Sequence, residues 1–95
     1  MTNISSYAQA RISFYEARFQ SETNNQLANH FNSLADSHGW TAERSYYTEA
    51  LIYELQRRGI DLSAIAETNS DGKVLSIRYC QVQYDMRENA LILVN

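Results

Sequence analysis

No proline interrupts this chain of 95 residues, and only three glycines, Gly39, Gly59 and Gly72, punctuate it. Proline ends helices and ladders because it lacks the backbone donor and fixes φ. A chain without it can sustain long elements. Their ends must then be marked by caps, by glycine or by a change in hydrophobic phase. Those markers divide this sequence into a helical first two-thirds and a strand-rich remainder.

Ile4, Tyr7, Ala8, Ile12, Tyr15 and Phe19 recur at helical spacing and predict a first helix over 6–20. Ser6 and Gln9 fit a capping box at its start. Leu27, Ala28, Phe31, Leu34 and Ala35 form a second stripe and predict a helix over 24–38. Continued along the first helical wheel, this second stripe falls nearly on the opposite side. A single long helix would switch its buried face halfway, so a break is expected at residues 21–23. Thr23-Asn24-Asn25-Gln26 offers another capping box there, and the two helices are expected to close as a helical hairpin. His38 suits the negative end of the second helix, and Gly39 supplies its left-handed stop.

A third helix is expected over 42–58, with Thr41 as N-cap, Glu43 in the first turn, Arg57 and Arg58 in the last, and Gly59 as the stop. It carries two apolar stripes. Tyr47, Leu51 and Leu55 make one; Ala42, Tyr46, Ala50 and Tyr53 make the other, with Ile52 outside both. A helix apolar on more than one side is either central or shared with a partner.

Beyond Gly59 the pattern changes. Residues 60–66 read as a short helix capped by Asp61 or as a first strand, and the same choice extends to 68. Asn69-Ser70-Asp71-Gly72 is a strong turn signal. Residues 73–84 read as one long strand rich in Val, Ile and Tyr. Its alternation slips near Cys80, which a β-bulge at Cys80–Gln81 would absorb. A polar turn over 85–89 and a well-covered strand over 90–94 complete the chain. The expected fold is therefore one α+β domain, residues 1–95: three helices, then an antiparallel hairpin or three-stranded meander. Such a small sheet must pack on helices or pair across a dimer.

Composition narrows the function classes. Hydrophobic residues are 44% and charged residues 20%, as in ordinary globular chains. Net charge is −3, and Lys73 is the only lysine beside seven arginines, a balance that argues against nonspecific binding to DNA. Residues 1–14 have no apolar core or basic start of the kind a secretion signal needs. The glycosylation sequon Asn3-Ile4-Ser5 then carries no weight, no stretch approaches the length of a membrane span, and the cytoplasm is the expected compartment.

The chemistry-bearing residues form no complete motif. A lone Cys80 excludes an internal disulfide and reads as a small buried hydrophobe. His30 and His38 stand two helical turns apart, too far to share a metal. Glu43, Glu49 and Glu54 read as a solvated helix face. Trp40, at the corner before the third helix, is expected to pin that corner into the core. No cofactor is expected, because neither a glycine-rich loop nor metal-ligand spacing is present. The aromatic content of 12% carries more information. Tyr46, Tyr47 and Tyr53 share the third helix with Arg44, Arg57 and Arg58, and Tyr and Arg are enriched where proteins bind proteins. These six are the expected partner-binding residues of a non-enzymatic protein-interaction module, expected to be a homodimer and to act as a regulator, adaptor or inhibitor of a partner protein. The alternative is a winged-helix-like nucleic-acid binder, with Arg44 near bases and Arg78 and Arg87 on phosphates.

Overall fold

The computed structural model describes residues 5–37 and 39–94. The readings made above for Ile4 and His38 lie outside the described residues. The chain runs α1 (Ser6–Gln20), α2 (Asn24–Asp36), α3 (Ala42–Arg57), β1 (Ala66–Thr68), β2 (Val74–Ile77), β3 (Val82–Asp85) and β4 (Ala90–Leu93). This is the expected α+β order. The strands pair antiparallel as two separate two-stranded sheets, β1 with β2 and β3 with β4, rather than as one hairpin or meander.

Local chemistry sets the helix ends. The cap of α1 is Ser5, whose side chain accepts the Ala8 N–H, one residue earlier than the expected Ser6. Gln9 completes no capping box; its amide donates to Ser13 instead. The break at 21–23 is present, and Thr23 and Gln26 form the full capping box that opens α2. Helix α2 stops at Asp36, with Ser37 as C-cap, so Gly39 lies beyond the stop although its φ of 85° is left-handed. Thr41 caps α3 as expected. At its far end the Gly59 N–H reaches the Gln56 carbonyl at 2.9 Å and the Ile60 N–H reaches Leu55 at 3.1 Å. That is a Schellman motif, made possible by Gly59 at φ 72°.

Helices α1 and α2 do not form the expected hairpin pair. Helix α1 packs mainly on α3, and α2 packs on β3 and, less extensively, on α3. Helix α3 is thus the central element: Thr48, Ala50, Leu51, Ile52, Glu54 and Leu55 are all buried. Phe19, Leu27, Phe31, Leu51, Leu55, Ile65, Val82 and Leu91 form the driest part of the core.

The long strand expected over 73–84 is broken at residues 78–81, where the chain leaves one sheet and enters the other. That break, rather than a bulge at Cys80, resolves the slipped alternation. The register irregularity lies within β1–β2 instead, where Glu67 faces Ser76 and Thr68 faces Val74. Residues 62–65 form a turn before β1, so 60–68 is neither a helix nor a continuous strand. The outer edge of β3 is closed by one side chain. Asn32 donates to the Val82 carbonyl at 2.8 Å and accepts the Val82 N–H at 2.7 Å, as a neighbouring strand would. Strand β4 is bridged by Asp61, but its end is less covered than expected, with Leu93 and Val94 exposed.

Candidate functional site

Helix α3 leaves one narrow side uncovered, along Glu49, Tyr53 and Gln56. The β1–β2 hairpin stands beside that stripe and makes a groove of about 440 Å³. Thr48 and Ile52 form its floor, Val74, Ile77 and Lys73 its hairpin wall, and Trp40 and Tyr79 its end. Pockets for ligands run about 300–1,000 Å³.

The groove is held open by contacts that the sequence places far apart. Tyr79 stacks on Phe31 with centroids 5.8 Å apart, and Trp40 meets Tyr79 edge-to-face at 6.3 Å. The Arg44 guanidinium lies 5.0 Å from the Trp40 ring and 5.1 Å from the Tyr79 ring. Arg44 is fixed in turn by donating to the Leu34 carbonyl at 3.0 Å and to Ser37, which also satisfies the exposed end of α2. Trp40 is therefore 62% exposed yet constrained, a correction to the expectation that it pins the corner into the core. On the other side, Gln56 donates to the Gly72 carbonyl at 2.9 Å. Asn69 Oδ1 accepts the N–H groups of Asp71 and Lys73, which fixes the turn that presents Lys73.

One feature marks the groove chemically, and an inaccessible buried hydroxyl lies beneath it. Glu49 and Lys73 stand on opposite walls, and neither takes part in an ion pair among the described residues. Thr48 is 6% exposed, and its Oγ1 has no hydrogen-bond partner among the described residues. A buried hydroxyl without a partner costs about 1–3 kcal/mol.

The six residues expected at the site are dispersed. Tyr53, 51% exposed, lines the groove, and Arg44 braces it. Tyr46 meets Tyr7 on the α1 side. Tyr47 packs in an aromatic cluster with Tyr15, Phe19 and His30, where burial pushes its hydroxyl above the ordinary tyrosine range. Arg57 and Arg58 both bind Glu54, which is wholly buried rather than part of a solvated face. Their hydrogen bonds, Arg57's first, hold the Glu54 carboxyl below its usual range, outweighing desolvation. Arg58 also donates to Asn24 Oδ1 at 2.8 Å and to the Phe19 carbonyl at 2.9 Å. That one guanidinium joins all three helices.

Trp40, Thr48, Lys73, Val74, Ile77 and Tyr79 were not among the expected site residues. The signal available was an isolated Trp between Gly39 and Thr41, and in the sequence it reads more readily as a core anchor.

The remaining polar clusters are internally satisfied. Arg11 donates to Glu43 at 2.7 Å and the Tyr15 hydroxyl donates to the same carboxylate, so Glu43 is held low, chiefly by Arg11. His30 bonds Glu22, which also lies 3.6 Å from Arg18. Cys80 is half-buried against the core in the connection between sheets, not within a strand. Among the described residues, no group of three His, Cys, Asp or Glu side chains is placed to hold a metal, and no helix is long and apolar enough to cross a membrane.

The chain matches no protein-family model, and no curated protein or solved structure matches it.

Proposed function

We propose that this chain is a non-enzymatic protein-interaction module, acting as a regulator, adaptor or inhibitor, and that it docks a peptide segment of a partner protein in the groove between α3 and the β1–β2 hairpin. The observation that carries this reading is Trp40, largely exposed and yet braced by Arg44 and Tyr79 at the end of an apolar groove. A rigid exposed aromatic binds at low entropic cost, because little freedom remains to be lost. Tyr53 provides a second aromatic, and Glu49 and Lys73, without ion-pair partners among the described residues, suit a segment bearing the opposite charges. The free thiol of Cys80 suits a reducing cytoplasm.

Two other partners draw less support. A second copy of the chain was suggested by the two apolar sides of α3, but most of that helix is buried by its own chain. A winged-helix use of α3 would need the helix free to enter a groove of DNA. Here Arg44 is committed to Leu34, Ser37 and two aromatic rings, while Arg78 and Arg87 are exposed but lie outside the strands.

Selection from a random-peptide phage library on the immobilised protein tests the reading. Peptides that bind the wild type and lose binding on Trp40→Ala and Tyr53→Ala proteins are expected. Enriched peptides that bind those variants equally well, or a selection that enriches nothing, would contradict it.

A further inference from the structure

Helix α1 buries one side, with Ala8, Ile12, Tyr15 and Phe19, and leaves an apolar stripe bare on the other. Tyr7, Ala10, Phe14 and Ala17 are all exposed, Tyr7 at 65% and Phe14 at 52%. Their spacing is i, i+3, i+7 and i+10, that of the a and d positions of a helix–helix seam. The rings on this stripe are already ordered by their own chain. The Arg11 guanidinium lies 4.8 Å from the Phe14 ring, and Tyr7 meets Tyr46 edge-to-face at 6.2 Å. Little side-chain freedom is left for a partner to remove.

The order of sizes along the stripe selects the partner. Aromatic and alanine positions alternate, and the alternation is its own complement when a second copy of α1 is laid antiparallel. Tyr7 then meets Ala17 of the second copy and Ala10 meets Phe14 of the second copy, and the two-fold axis repeats both contacts. Large against small is the arrangement that lets facing layers interdigitate. A parallel copy would instead set Phe14 on Phe14 and leave a gap between the two Ala10 methyls. Charge does not oppose the pairing. Arg11 is bound to Glu43 at 2.7 Å and Arg18 lies 3.6 Å from Glu22, so both arginines bring their counter-charge with them. Ser6, Ser13 and Gln20, on the other flank, are neutral.

We propose that this face of α1 docks a second copy of the chain, as a two-fold antiparallel pairing of α1 helices in which each aromatic ring packs on an alanine. The seam is about 15 Å long at 1.5 Å per residue, shorter than a standard interface requires, so the dimer is weak and forms at high concentration. The groove between α3 and the β1–β2 hairpin takes no part in it, and the two readings stand or fall separately.

Sedimentation velocity of the full chain from about 10 μM to about 1 mM is expected to show a monomer–dimer equilibrium. Ala10→Glu sets a charge against Phe14 of the second copy, and Phe14→Lys sets one against Ala10 of the second copy. Both positions are exposed, so neither substitution enters the core, and circular dichroism establishes that each variant folds. Each variant alone is expected to dimerise at least about tenfold more weakly. Mixed one to one, the two are expected to regain a dimer, because the new carboxylate faces the new ammonium in one layer and Phe14 meets Ala10 in the other. A wild type monomeric throughout the range, or dimers that survive both substitutions, would overturn the pairing. Mixed variants that stay monomeric would overturn the antiparallel register, and the proposal with it.

Discussion

Glu54→Gln removes the negative charge that faces Arg58, whose side chain is only 17% exposed. Losing one partner of a buried pair leaves the other desolvated, which costs about 3 kcal/mol. Urea denaturation near neutral pH is expected to show that loss. The same contact makes stability depend on pH. The folded Glu54 carboxyl is held below its usual range, so at pH values between the folded and unfolded pKa the unfolded chain binds more protons. Its contribution is complete above the ordinary carboxylate range, about pH 4.3, and is lost as pH falls through the depressed folded value. In Glu54→Gln this part of the acid dependence should be missing. Thr48 behaves oppositely. Replacing it by the isosteric Val removes a buried hydroxyl that has no partner among the described residues, so Thr48→Val is expected to raise the free energy of unfolding by about 1 kcal/mol. A Thr48→Val protein less stable than wild type would mean that the hydroxyl is already satisfied.

The elements show which parts of the fold the sequence announces. Caps are local chemistry, so Thr23 with Gln26, Thr41 and Gly59 act where their motifs stand. The misplacement of the first cap by one residue, Ser5 for Ser6, reflects adjacent serines that satisfy the same rule. Where an element finds its neighbour is not local. Nothing in the stripe of α2 states that Asn32 will close the edge of β3, or that residues 78–81 will pass between two sheets instead of bulging within one. That closure yields a prediction. Asn32→Ala leaves the N–H and carbonyl of the buried Val82 without their side-chain partner and opens a strand edge. The variant should lose about 1–2 kcal/mol of stability and, in sedimentation velocity at rising concentration, should form larger species than the wild type does.

At the scale of the molecule, three helices are knotted together by Glu54 and Arg58, and two small hairpins are set against them. The third helix is apolar on two sides because it is central. Its tyrosines and arginines therefore divide between the core, the clasp and the groove, and do not assemble into one patch. The groove was illegible in the sequence because its walls come from the corner at Trp40, the exposed stripe of α3 and a hairpin that begins after Gly59. Only folding brings these together. Other apolar side chains reach the surface elsewhere, at Tyr7 and Phe14 on α1 and at Leu93 and Val94 at the end of β4, and each offers a rival docking face. The decisive measurement is an amide chemical-shift titration of the isotope-labelled protein with a selected peptide. The largest shifts are expected at Trp40, Thr48, Ile52, Tyr53, Val74 and Ile77, and shifts centred on α1 or on the end of β4 would contradict the groove as the binding surface.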